Sequence, residues 1–363
     1  MNKLMSPKKT PRHWPRIVLV GLVALLVAAT GMVILPRDSG DPEPVPFSES
    51  ARAAAYEDAV ALRESAGRLV DAQGSNAADT ALADAVTLLT THARALLKAG
   101  DRPPVESPTR AGVTDPDTPA DVVTRLSAGG GQRLRDAEKA DGGTSRLLAA
   151  VGTAQVLEAE RIAARLKLPA PAPAGPAASP VPPGSPVPAA SDSGGQDAAC
   201  ASAGPATDPA AATTASALAA AVRLEHESVY VYQVALKRLP EAEASEAAKS
   251  LEAHQQLLKE AELLTRANCA DVPRREAGYR LGEHFTEDPA AALGTMEIGS
   301  LPAFGDLIAL SDGRTRAWAA EALMAATRRA LAWGAAGPAL PGLAVDVEDL
   351  PALPTPAPTA AGN

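Results

Sequence analysis

Nine prolines fall within Pro169 to Pro188, among alanine, glycine and serine, and this stretch divides what the rest of the chain can fold into. Proline fixes φ and donates no backbone hydrogen bond, so the stretch suits neither a helix interior nor a sheet. Residues 168–207 therefore read as a linker, whose proline-rich part could span on the order of 60 Å as polyproline II. The flanking regions are rich in Ala, Leu, Glu, Arg and Lys, with apolar residues at three- and four-residue steps. That pattern predicts an all-α protein with helices on both sides.

On the C-terminal side the expected helices cover 209–238, 241–267, 288–310 and 312–335. Asp208 followed by Pro209, and Asp288 followed by Pro289, have the form of an N-cap and a first-turn proline. Pro240 forces a tight reversal that sets the first two helices antiparallel, and Pro302 predicts a kink or break in the third. On the N-terminal side the expected helices cover 48–73, 77–99, 118–140 and 143–167, the third weakened by Gly129 to Gly131. The reading is thus a four-helix bundle at 208–343, a second and degenerate helical bundle at 48–167, and a flexible tail at 344–363. Leu89-x-x-His92-x-x-x-Leu96 and Leu251-x-x-His254-x-x-x-Leu258 fall in the second helix of each half. The match fits a duplicated bundle and equally fits chance alignment of alanine-rich helices.

Residues 17–35, IVLVGLVALLVAATGMVIL, are uniformly apolar and follow a basic leader at 1–16 containing Lys3, Lys8, Lys9, Arg12 and Arg16. Nineteen helical residues cover roughly one hydrocarbon core. The run exceeds a usual signal-peptide apolar region and lacks a clear A-x-A site, so a single uncleaved transmembrane anchor is expected. The charge asymmetry leaves the N-terminus cytoplasmic and the bulk extracytoplasmic, after a juxtamembrane linker at 36–47. Removing the six basic residues up to Arg37 from the chain's 34 leaves 28 against 43 acidic, a net charge of −15 for the exported part. Such a surface repels nucleic acid, which is excluded as a partner.

Cys200 and Cys269 are the only cysteines, and both would lie in an oxidising compartment. One precedes the first C-terminal helix and the other ends the second, so an antiparallel hairpin would bring them together as a disulfide. Neither has the spacing of a zinc or redox motif.

On the predicted helices, Glu225 shares the apolar face of Leu218, Val222 and Tyr232; His254 shares that of Ala247, Leu251 and Leu258; Glu297 shares that of Leu293 and Leu301. Buried polar groups need partners, so one histidine and two carboxylates are expected to meet in one core. Their simplest role, together with Tyr232, is a hydrogen-bonded cluster that fixes helix register. His92 reads as a satisfied core or boundary residue, and His226 and His284 as solvent-side. Arg314, Arg316, Arg328 and Arg329 read as a solvated basic face. The chain contains no G-x-S-x-G, G-x-x-x-x-G-K or G-x-G-x-x-G motif, and His226-Glu227 does not extend to H-E-x-x-H because Tyr230 takes the last position.

The order of several features in residues 210–343 resembles the ferritin-like domain of unknown function found in exported, envelope-attached bacterial proteins. They are Leu224-Glu225-x4-Tyr230-x-Tyr232, His254 in AHQQLLKEAELL, Tyr279, Glu297 in MEIG, the helix RAWAAEALMAATRRALAW and Pro341-Gly342-Leu343. The resemblance implies a ferritin-like four-helix bundle and little about activity. A di-iron carboxylate bundle takes a Glu from each of two helices and Glu-x-x-His from each of the other two. Glu225 and Glu297 stand where the single glutamates would, but Leu251 precedes His254 by three residues, and the fourth helix has no histidine.

The favoured functional expectation is a membrane-anchored, non-enzymatic interaction or structural module of the cell envelope. Its expected contacts are the membrane, through 17–35, and an envelope protein or ligand, with no cofactor. The alternative is a divergent ferritin-like metal-binding protein or oxidase holding iron or manganese through Glu225, His254 and Glu297.

Overall fold

A computed structural model describes residues 44–73, 77–98, 118–171, 211–282 and 284–354. Among these there are eight helices and no strand: α1 (Phe47–Gln73), α2 (Ala77–Leu96), α3 (Pro119–Lys139), α4 (Gly142–Leu166), α5 (Thr214–Ala235), α6 (Glu241–Ala267), α7 (Pro289–Leu310) and α8 (Gly313–Ala332). No described helix is long and apolar enough to cross a membrane. The expected anchor at 17–35, the leader and most of the proline-rich linker lie outside the described residues.

Local chemistry sets the helix starts. Thr118 caps α3 through a reciprocal bond with Asp121, and proline takes the first helical position. Asp288 caps α7 in the expected way, accepting from the Ala291 N–H at 3.0 Å. α5 starts later than expected: Thr213 is its N-cap, bonded reciprocally with Ser216, while Asp208 and Pro209 lie outside the described residues. α7 is also unbroken at Pro302, an exposed position. Burial of Leu301, Phe304, Leu307 and Ile308 around it outweighs a proline cost of about 3 kcal/mol.

In each half, a hairpin of two helices is followed by a long connection and a second hairpin. α5 and α6 are antiparallel, as are α7 and α8, and α5 packs across on α7. The 268–288 connection runs back along α5: Tyr279 packs on Tyr230 with ring centroids 5.6 Å apart, and Phe285 is buried in one cluster with Val231 and Tyr232. α7 thus begins beside the end of α5 and finishes beside its start, where the Thr214 hydroxyl donates to the Leu310 carbonyl.

Residues on both sides of the linker join one contiguous apolar core, including Leu62, Leu89, Leu126 and Leu148 from the first half and Leu218, Leu301, Phe304 and Leu323 from the second. The sequence suggests two bundles held apart by an extended spacer, whereas the described helices from Phe47 onward form one compact unit. Expected solvated arginines help to join the halves. Arg316 is buried and donates to the Ala137, Glu138 and Ala140 carbonyls at 3.4, 3.3 and 2.7 Å, capping the C-terminal end of α3. Arg328 forms a paired contact with Glu160 of α4 at 3.2 and 2.7 Å. Arg314 and Arg328 are exposed, as a solvated face requires, whereas Arg316 is buried and Arg329 half-buried.

The chain beyond α8, including the described part of the tail expected at 344–363, is also tied down rather than loose. His92 donates to the Ala339 carbonyl at 2.9 Å, and Arg146 to that of Gly342 at 2.8 Å. Arg94 donates to the carbonyls of Glu348, Leu350 and Pro351. Leu340 is buried, and Leu343, Leu350 and Leu353 pack on the core.

α3 is continuous through Gly129 to Gly131, and Gly130 supplies a close crossing. A Cβ there would come within 2.8 Å of the Gly152 carbonyl oxygen on α4. By contrast, a Cβ at exposed Gly299 on α7 would meet nothing within 4 Å. Gly130→Ala is therefore expected to lose about 1–3 kcal/mol to overpacking despite its gain in helix propensity. Gly299→Ala should gain up to about 1 kcal/mol. Urea unfolding of both variants checks the opposite signs.

Candidate functional site

The C-terminal bundle places four helices around one set of buried charges. Glu225 and Tyr232, seven residues apart on α5, share a helix face. His254 faces them from α6, Glu297 from α7, and Arg329 from the last turn of α8. The amphipathic stripes read from the sequence direct the first four inward, and the structure brings all four together.

His254 lies between the two acids, with Nδ1 2.7 Å from Glu225 Oε2 and Nε2 3.0 Å from Glu297 Oε1. A carboxylate oxygen accepts, so this geometry makes both ring nitrogens donors and the ring an imidazolium. The Arg329 guanidinium binds Glu297 in a paired arrangement, Nε to Oε1 at 2.7 Å and Nη2 to Oε2 at 3.0 Å. The Tyr232 hydroxyl donates to Glu297 Oε1 at 2.8 Å and accepts from Trp333 Nε1 at 2.8 Å. Glu225, Tyr232 and Glu297 are fully buried and His254 nearly so. Glu225 Oε1 is the network's exception, a buried oxygen with no hydrogen-bond partner.

Electrostatics follow the contacts. Burial pulls the His254 pKa down, but hydrogen bonds and charges from Glu225 and Glu297 outweigh it and hold the value above normal. Burial pushes Glu297 up, yet His254 and Arg329 prevail and keep it below the usual carboxylate value. Burial, reinforced by the Glu297 charge, raises the Tyr232 pKa, so the phenol keeps its proton. Two acids, a histidine and a guanidinium thus meet within one buried core.

A dinuclear carboxylate centre does not fit these residues. The Glu-x-x-His pairs are absent, both His254 nitrogens face carboxylates, and Arg329 puts a fixed cation on Glu297. Among the described residues, no group of three or more His, Cys, Asp or Glu side chains is arranged to hold a metal ion.

Sequence reading missed Arg329 and Trp333 as members of this network. Their signal is present in the α8 stripe: Ala322, Ala326 and Ala330 are buried, and Arg329 stands three residues after Ala326 and four before Trp333. The expected peripheral residues fall as read in two cases: His284 is exposed, and His92 is a satisfied core residue. His92 donates from Nε2 to Ala339 and faces Gln155 Nε2 through Nδ1 at 3.5 Å. Burial pulls its pKa down to about 4, with a further push from Arg133 against the Ala339 hydrogen bond. His226 is half-buried.

Cys269 ends α6 in the left-handed region at φ 56, with the Ala270 N–H bonded back to the Thr265 carbonyl at 3.1 Å. This position, just past the Asn268 C-cap, usually favours glycine. Cys269 is not a free thiol, and its expected partner Cys200 lies outside the described residues.

A family model described as a domain of unknown function (DUF4439) matches residues 217–345. That span runs from α5 to just beyond α8 and contains the whole charge network. No curated protein and no solved structure matches the chain.

Arg329→Met would remove the paired guanidinium from buried Glu297 and should cost about 3–5 kcal/mol in urea unfolding, as for a broken buried pair. The two core histidines should have opposite pH signatures. His254, raised above its ordinary 6.5, contributes stability that is full below the unfolded value and lost as pH rises through the folded value. His92, lowered to about 4, contributes stability that is full above 6.5 and lost as pH falls. The stability difference between native protein and His254→Gln should shrink as pH rises above 6.5 through the raised folded value, and that for His92→Gln should shrink from about pH 7 to about pH 4. Denaturant titrations across pH measure both.

Proposed function

We propose that this chain is a membrane-anchored, extracytoplasmic protein whose C-terminal bundle is ferritin-like in topology and acts in the cell envelope as a non-enzymatic interaction or structural module. The observation that carries this reading is the commitment of His254, Glu297 and Tyr232 to one another inside the buried network. Both His254 nitrogens and both Glu297 oxygens are used inside the bundle, and the Tyr232 proton is committed to Glu297. These groups fix helix register instead of presenting a nucleophile or base to a substrate.

The topology supports the ferritin-like part of the proposal. Two helix hairpins joined by one long crossover, here residues 268–288, are the arrangement of ferritin-like bundles. The anchor rests on the apolar run at 17–35 and its basic leader. An oxidising location agrees with the committed thiol of Cys269, for which Cys200 is the proposed partner.

One observation favours a second reading, a metal-binding or oxidase bundle using Glu225, His254 and Glu297: Glu225 Oε1 is buried without a partner and could face a cation. On the favoured reading the full chain sediments with membranes and resists alkaline extraction, whereas a chain starting at Asp38 is released. That released chain, purified from an oxidising compartment without chelator, should carry only substoichiometric iron and manganese by elemental analysis. Stoichiometric metal lost in Glu225→Gln or His254→Gln would instead support the second reading.

A further inference from the structure

The two halves share more than a helical composition. Thr118-Pro119-Ala120 opens α3 as Asp288-Pro289-Ala290 opens α7, each with proline at the first helical position. Asp141-Gly142 opens α4 as Asp312-Gly313 opens α8, each with aspartate at the N-cap. The second and third helices of each half are separated by nearly equal connections, 97–118 and 268–288. The first helix starts beside the end of the third in both: the Asp141 N–H donates to Ser48 Oγ at 2.7 Å, and the Thr214 hydroxyl donates to Leu310. Buried histidines His92 and His254 occupy the second helices within the same leucine spacing.

Contacts between the halves repeat with their roles exchanged. Arg146, in the first turns of α4, meets Asp306 near the end of α7 at 2.6 Å. Arg316, in the first turn of α8, meets the carbonyls at the end of α3. α4 and α8 themselves meet through Glu160 and Arg328, which lie at similar heights counted from Gly142 and Gly313. Helices at similar heights, flanked by exchanged α4–α7 and α8–α3 contacts, are the arrangement that a two-fold axis parallel to the helices produces, although α4 packs on α7 more extensively than α8 on α3. The match is approximate: a Cβ at Gly142 would overlap the Ala309 carbonyl, whereas one at Gly313 meets nothing within 4 Å.

We infer that the halves are diverged copies of one four-helix bundle, and that the α7–α8 surface is a self-complementary docking face occupied by the chain's own N-terminal bundle through α3 and α4. The partner this face fits is a second bundle of the same architecture. Divergence has left different polar cores on the two sides: Glu225, His254, Glu297 and Arg329 in one, and the Asp58–Arg133 pair at 2.7 Å with the neutral His92 in the other.

Symmetry specifies a contact to test. Asp306 follows Pro289 by as many residues as Asp136 follows Pro119, and Arg146 follows Gly142 as Ala317 follows Gly313. Asp136 and Ala317 should therefore mirror the Asp306–Arg146 pair. In the chain from Asp38 onward, Asp136→Cys with Ala317→Cys should react with a short bismaleimide in yield comparable to Asp306→Cys with Arg146→Cys. Asp136→Cys with Asp84→Cys should give little. A reactive Arg146 pair beside an unreactive Ala317 pair overturns the two-fold relation. If a double variant fails to fold, the native surfaces are tested by inserting a protease site after Gly184 and cutting the folded chain. The halves should elute as one particle, and their separation overturns the docking face.

Discussion

Glu297 accepts hydrogen bonds from three other helices at once: from Tyr232 on α5, His254 on α6 and Arg329 on α8, while it stands fully buried on α7. A lone carboxylate in that position would be several kcal/mol unfavourable. Each of the surrounding donors answers part of that cost, and each is useful only if its helix sits at the right height and rotation. The acid therefore acts as a geometric reference for the bundle. Glu225 extends it by holding the far side of the imidazole, and Trp333 by fixing the Tyr232 hydroxyl.

This dependence suits a chain poor in aromatics. Alanine-rich helices approach closely but bury little area per residue, so hydrophobic burial alone selects among registers weakly. Directional contacts supply the missing selection elsewhere too. Arg316 caps α3 across the junction between the halves, and Arg94 and Arg146 hold the chain beyond α8 by its carbonyls. Where backbones come closest, glycine does the work that side-chain volume would prevent, as at Gly130 against Gly152.

Much of this was legible from the sequence. Capping residues and prolines marked the helix ends closely, and three- and four-residue spacing placed Glu225, His254 and Glu297 inward. Periodicity shows which face of a helix is buried but not what covers it. That is why a proline-rich linker suggested separate bundles, although Leu126 and Leu148 share a core with Leu301 and Leu323. Arg329 escaped notice because it neighbours Arg328, and adjacent residues on a helix point about 100° apart. One arginine reaches the exposed Glu160 while the next reaches the buried Glu297. The tail was misjudged because its proline and alanine content says nothing of arginines elsewhere that bind its carbonyls.

The state of His254 decides between the two readings of the bundle, since an imidazolium donates to both carboxylates, whereas a neutral ring would leave a lone pair for a cation. Nitrogen-15 NMR of the histidine side chains, with His254 assigned by its Gln variant, reads this directly. At neutral pH, above the ordinary histidine value of 6.5, both His254 nitrogens should carry protons. A signal from one unprotonated ring nitrogen, shifting when iron or manganese is added, would contradict the internally committed network and restore the metal site in its place.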